Sequence, residues 1–204
     1  MSAAELTALL AFCTAMSFTP GPNTTLSTAL AANFGLARAT RFCLAVPAGW
    51  TLLMLGSALG LGALITGVPA LRWAVKIGGV GYMLWLAWKL SRSGQLAQVD
   101  ASRLQVGFAQ GVALQFLNIK AWMLALTLSA GWVWHAGGAP ADNPWPRLAF
   151  VCAAMMFFAF SSNFTYALVG SLLRGWLAQG RRLLWFNRAL ALVLAATAVW
   201  MLRA

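Results

Sequence analysis

The chain has 204 residues, 61% of them hydrophobic and 8% charged, and its mean hydropathy is +0.77. Soluble domains carry about 25% charged residues, so 14 Lys and Arg with 3 Asp and Glu cannot clothe a water-soluble surface of this size. A cytosolic enzyme, a disordered regulator and a secreted domain are excluded, and an integral membrane protein remains. The net charge of +11 does not signal nucleic acid, because the cations sit singly or in small groups between apolar runs. No stripe exists to track a phosphate backbone. Cys13, Cys43 and Cys152 are odd in number, lack CxxC spacing and lie in apolar segments, as small core residues do.

A hydrocarbon core of ~30 Å needs about 20 apolar residues in a helix. Six stretches meet or approach that: Leu6–Leu30, Phe42–Ile65, Trp73–Leu90, Gly107–Trp134, Leu148–Leu173 and a short Ala189–Leu202. The opening Met1-Ser2-Ala3-Ala4-Glu5 has no basic run, so the first stretch reads as a retained span. It is interrupted by Phe18-Thr19-Pro20-Gly21-Pro22-Asn23. The two prolines cannot donate to the helix ladder, and Gly21 adds backbone freedom. Carbonyls near Thr14–Phe18 then lack helical partners, which hydrocarbon tolerates only where protein or a cavity surrounds them. A plain proline kink is the structural alternative. Ser17, Thr24 and Thr28 place a polar stripe on one face if the helix direction is kept.

Arg38 and Arg41 follow the first span, Lys89, Arg92 and Arg103 the third, and Arg174, Arg181, Arg182 and Arg188 the fifth. The other side receives Arg72, Lys76, Arg147 and Arg203. The positive-inside bias puts the first set in the cytoplasm and both termini outside. Trp73, Trp132, Trp134, Trp145 and Trp200 fall near the outer ends, and Trp88, Trp176 and Trp185 near the inner ones, as interfacial rings do. A polar cytoplasmic link over 91–105 divides a single membrane domain, 1–204, into half-repeats of about 1–92 and 104–204. An odd number of spans in each half is the arithmetic of an inverted repeat. Gly56/Gly60, Gly107/Gly111 and Gly78-Gly79-Val80-Gly81 are spaced for close helix packing.

The fourth span carries Gln115-Phe116-Leu117-Asn118-Ile119-Lys120-Ala121-Trp122, with Gly111, Gln115, Asn118 and Trp122 on one helical face. Lys120 lies ~20 Å into its span and Pro20 ~21 Å into the first from the other side, so the two irregular zones match in depth. A lysine there costs roughly 2.5–3.5 kcal/mol on insertion scales. It reads either as a functional cation or as a side chain snorkelling to the outer headgroups. Asn118 and Lys120, two positions apart, share a cavity only if the helix breaks between them. In the fifth span Asn163 fits interhelical hydrogen bonding as well as ligand contact.

Thr19-Pro20-Gly21-Pro22-Asn23 with Asn33-Phe34-Gly35 resembles the first-span signature of the lysine exporter/homoserine-threonine exporter superfamily of amino-acid efflux transporters. The run Gly79–Lys89 is similar to that family's third span, Leu114–Trp122 to its fourth, and Asn187-Arg188 to the approach to its last. Two departures stand out: Ile119 replaces a frequent proline, and Asn23 is neutral where some lysine exporters have aspartate. Asn-aliphatic-Lys leans toward the cysteine/O-acetylserine exporter branch. The resemblance implies an all-α fold of six transmembrane helices in two inverted three-helix repeats, the first helix of each half broken, in a bacterial inner membrane. It implies export of small, neutral amino acids by alternating access with proton coupling, and no enzyme, cofactor or metal. The expected partners are an amino-acid substrate and the lipid bilayer, with a homodimer as candidate assembly and no nucleic acid.

The expected substrate-binding residues are Ser17, Pro20, Gly21, Pro22, Asn23, Thr24, Gln115, Asn118, Lys120 and Asn163. Lys120 and helix dipoles would take the carboxylate; carbonyls before Pro20, with Asn23 and Thr24, would take the ammonium. Lys120, Glu5 or His135 would titrate, since Glu5, Asp100 and Asp142 all lie at ends or in loops. A transport-inactive assembly subunit and an uptake carrier are the rival readings.

Overall fold

The computed structural model describes residues 1–61, 67–93 and 106–203. Its helices are α1 (Ala3–Phe18), α2 (Pro22–Phe34), α3 (Leu36–Ala58), α4 (Pro69–Ser91), α5 (Phe108–Leu117), α6 (Ile119–Leu128), α7 (Pro144–Leu177) and α8 (Arg182–Arg203). A π-helical turn, Ser129–Val133, and a two-residue strand pair at 135–136 and 139–140 join α6 to α7. Ile65, at the expected end of the second span, and most of the 91–105 link, with Asp100 and Arg103, lie outside the described residues.

Local chemistry explains the helix limits. Ser2 and Glu5 form a reciprocal capping box at the start of α1. The Pro20/Pro22 pair ends α1, and Pro22 then opens α2 at the helical position where a missing N–H costs nothing. Gly35, at φ +87°, joins α2 to α3 in a backbone conformation that favours glycine. The last helix begins at Arg182, seven residues before the expected Ala189, so it has 22 residues and is not short.

Among the described residues three helices are long and apolar enough to cross a membrane: Leu36–Ala58, Pro144–Leu177 and Arg182–Leu202. The pairs α1+α2, bent by 51°, and α5 with 119–133, bent by 71°, bring the number to five if each pair is one crossing. α4 has 23 residues but is not among them; it carries Arg72, Lys76 and Lys89. Leu172, Leu192, Phe157 and Trp200 stand exposed on outward faces, as the flanks of a bundle solvated by lipid would. This is a helical membrane protein.

α2 is the buried centre: Pro22 and every residue from Thr24 to Asn33 are inaccessible. It packs along α7 and against α3, while α4 pairs with α8 and α3 with α5. Glycines set these approaches where a side chain would collide with backbone. A Cβ on Gly79 would overlap the Leu117 carbonyl, one on Gly170 the Thr28 carbonyl, and one on Gly49 would lie 2.7 Å from the Val112 carbonyl oxygen. Gly111 sits against Ala45 and Phe42. The expected packing roles of Gly56, Gly60, Gly81 and Gly107 do not hold. Among the described residues Gly60 and Gly81 have open space, Gly56 meets only Leu61, and Gly107 meets only Gln110, a local contact at the start of α5.

Gly79→Ala and Gly170→Ala should therefore lower the thermal unfolding midpoint in detergent by several degrees, as overpacking costs of about 1–3 kcal/mol imply. Gly81→Ala, into open space, should leave it unchanged; equal midpoints for all three would contradict the close approaches.

Candidate functional site

The two helix breaks face each other. At the first, Pro20 has no N–H for the Met16 carbonyl and Pro22 none for the Phe18 carbonyl. Other elements supply the missing donors. Ser162 Oγ donates to the Ser17 carbonyl (2.6 Å), Tyr166 Oη to Phe18 (3.0 Å) and Lys120 Nζ to Thr19 (3.2 Å). Thr24 exchanges hydrogen bonds with the Gly21 N–H and carbonyl (2.9 and 3.1 Å), capping α2. Gly21 itself is extended, and an added Cβ would come no closer than 3.6 Å to Lys120. Neither backbone nor space demands glycine there.

At the second break Ile119 stands where a proline would, yet the helix still parts at Asn118 (φ −93°, ψ 101°). The Asn118 N–H turns back to the Gln115 carbonyl (3.2 Å), and its own carbonyl takes the N–H groups of Ala121 and Trp122. Trp122 Nε1 donates to the Phe116 carbonyl (2.8 Å), and the bare face of Gly79 admits the Leu117 carbonyl. Because the helix breaks here, Asn118 and Lys120 both reach one cavity.

That cavity, of about 60 Å³, is bordered by Ser17, Gly21, Pro22, Asn23, Thr24, Asn118, Lys120 and Asn163. It exceeds the ~15 Å³ that one water needs. Pro20 lies instead beside Lys120 on an adjoining open groove between α1, α6 and α8. Gln115 is wholly buried off the cavity; it exchanges two amide hydrogen bonds with Asn23 (2.8 and 3.1 Å) and holds that side chain in place. Asn163 accepts from Ser27 Oγ (2.9 Å) and donates to the Ala159 carbonyl. Thr28 donates back to the Thr24 carbonyl. The expected polar stripe is thus largely taken up by internal bonds. Lys120 does not run to a helix end: its ammonium is held at the first break.

The residues that sequence reading missed are Trp50, on α3, and the apolar walls Val46, Leu124 and Met155. A signal for Trp50 existed. It lies mid-span, away from the headgroup levels where an indole N–H finds partners. Trp50 Nε1, Ser17 Oγ and Asn118 Oδ1 are buried polar atoms without a hydrogen-bond partner, and all three residues border this cavity. Buried polar groups are overwhelmingly paired, so orphans gathered on one void mark a place built for a guest.

Both ends of the bundle are clasped. Glu5 pairs with Arg147 (2.9 Å) and accepts the Gly137 N–H; Arg147 also donates to the Trp132 and His135 carbonyls. Trp132 donates to the Glu5 carbonyl and stacks on Phe12. His135 is exposed at this end, with Nδ1 2.8 Å from the Ala130 carbonyl oxygen. At the opposite end Asn33 and Asn187 exchange two amide bonds of 2.9 Å, and Asn187 also donates to the Ser93 carbonyl.

Gln115→Leu should strand the Asn23 amide and cost about 1–3 kcal/mol, whereas Asn23→Leu/Gln115→Leu, removing both partners, should recover much of it. Thermal unfolding of the two variants checks this; a double variant no more stable than the single one would mean the pair does not act as a unit.

A family profile described as LysE type translocator matches residues 14–204. A cysteine/O-acetylserine efflux protein of Klebsiella pneumoniae is 30% identical over 204 residues, covering 98% of this chain and 99% of that protein. Proteins of the same name from Salmonella typhimurium (29%, 95% of each chain) and Escherichia coli K12 (28%, 98% of each) are also similar. No solved structure matches at a comparable level. The relatives are transporters, and the broken helices, cavity and bilayer-suited surface agree with that: the chain belongs to the LysE family of amino-acid efflux transporters.

Proposed function

We propose that the chain is a secondary exporter of small neutral amino acids or their derivatives, of the cysteine, O-acetylserine, homoserine and threonine type, working by alternating access. The observation that carries this reading is the polar cavity between the two helix breaks, with a clasp at each end of the bundle. A carrier must open one end while the other stays shut, and two separate polar clasps suit that exchange. The names of the efflux relatives support the cargo class and direction.

In this reading α4 is the sixth crossing, and the halves are inverted triplets, each opening with a broken helix. The protein sits in the inner membrane with Glu5 and Arg147 outside and Asn33 and Asn187 inside. Cation–aromatic pairs support that orientation. Arg38–Phe34, Lys89–Trp85, Arg92–Trp88, Arg182–Trp176 and Arg188–Trp185 lie at the inner side, and Lys76–Trp73 at the outer. Lys120 is the one titratable side chain bordering the cavity among the described residues, so proton coupling would run through it.

Efflux of L-cysteine from loaded proteoliposomes should fall at least tenfold in Asn118→Ala and in Lys120→Ala. Wild-type rates in both would remove the cavity from the transport path, and accumulation against an outward gradient would favour an uptake carrier. A cysteine at Gln179, between α7 and α8, should react with an impermeant maleimide only from the cytoplasmic side; labelling from outside alone would invert the topology.

A further inference from the structure

We infer that the cavity reads both charged ends of a free amino acid, with Trp50 as the recognition residue for the carboxylate and Asn118 for the ammonium. The inference rests on the transport reading above and adds to it the residue for each end.

Hydrogen-bond sign limits what the cavity can hold. An indole Nε1–H can only donate, and an amide Oδ1 can only accept. Trp50 and Asn118 are 3% and 4% exposed, each leaves that atom without a partner, and both border the same cavity. A guest that answers both must carry an acceptor and a donor. The other groups on the void sort the same way. Lys120 commits one hydrogen to the Thr19 carbonyl and keeps two, which adds positive charge and donors. Met16 also borders the cavity, and Pro20 denies its carbonyl a helical partner. A zwitterion presents a carboxylate, which only accepts, and an ammonium, which only donates. Val46, Leu124 and Met155 add apolar walls, and among the described residues no carboxylate borders the cavity. A cationic side chain would find no counter-charge, so the cargo's third substituent is small and uncharged.

The position of Trp50 is fixed by its neighbour. Gly49 brings α3 onto the backbone of α5 at Val112, so the next side chain along α3 is held at the cavity by backbone contact. It belongs with Leu53, Met54 and Leu124 to the apolar cluster on that side, and its N–H has no partner among the described residues. Trp122, also buried, already has the Phe116 carbonyl as its partner and is not available in this way.

Trp50→Phe keeps an aromatic ring while deleting the donor together with part of the indole's volume, and the choice of competitor separates the two losses. In proteoliposomes holding the full chain, with L-cysteine under reductant as probe, KM should rise roughly tenfold or more, the scale of one hydrogen bond to a charged group. The maximal rate should stay within about twofold. Competition by cysteamine, which lacks the carboxylate, should be unchanged by the substitution, whereas Asn118→Ala should weaken cysteine and cysteamine alike. A role in holding an internal water or in packing would not divide the two competitors. An unaltered KM with an unaltered preference for cysteine over cysteamine would overturn the assignment of Trp50 and leave the efflux reading standing. A measurement on the wild-type chain guards against misfolded variants: cysteamine and 3-mercaptopropionate should each compete at least tenfold more weakly than cysteine. Equal competition by either would also overturn the inference. Failure of the wild-type protein to move any small neutral amino acid would instead sink the efflux reading, and this inference with it.

Discussion

In hydrocarbon, a peptide group without a hydrogen-bond partner has no water to turn to, and this requirement governs the arrangement of the whole chain. Two of its apolar segments are broken mid-length, at Pro20 to Pro22 and at Asn118, and each break frees carbonyls that must be answered from elsewhere. Ser162 and Tyr166 on α7, Lys120 on α6 and the Trp122 indole each answer one of them. The broken helices are thereby tied to the rest of the bundle by the groups they lack. Bonding of this kind makes the breaks fixed features and keeps them facing one another.

Close packing makes the same geometry attainable. α2 is buried on every side, and the Thr28 carbonyl touches α7 where Gly170 removes a side chain. Gly79 does the same for the Leu117 carbonyl at the second break. A single methyl group at either position would meet backbone, which cannot swing aside. The glycines that matter are those opposite a carbonyl, and regular small-residue spacing does not identify them.

The cavity follows from what is left over. Asn23, Thr24 and Asn163 border it, but their hydrogen bonds go largely to Gln115, Gly21, Ser27 and Ala159, so they give it shape. Trp50 and Asn118 keep unmatched atoms of opposite character, and Lys120 brings charge. The clasps at Glu5–Arg147 and at Asn33–Asn187 are polar, small and far apart in sequence. Such contacts can be exchanged for water without unpacking the apolar clusters.

The sequence by itself determined the solvent in which this chain folds, the rough limits of most of its apolar segments, and the first break, because proline lacks a donor wherever it stands. The motifs around Asn23 and Lys120 carried the family as well, and eight of the ten expected site residues border the cavity, with Pro20 and Gln115 displaced from it. Tertiary structure alone decided the second break, since Ile119 offers no local reason for one and the freed carbonyls depend on Gly79 and Trp122. It alone decided which polar side chains are used up and which stay free. Asn23 meets Gln115 across 92 positions and Asn163 meets Ser27 across 136. Whether a buried amide or indole finds a partner depends on neighbours brought close by packing, and spacing along one helix does not contain that information.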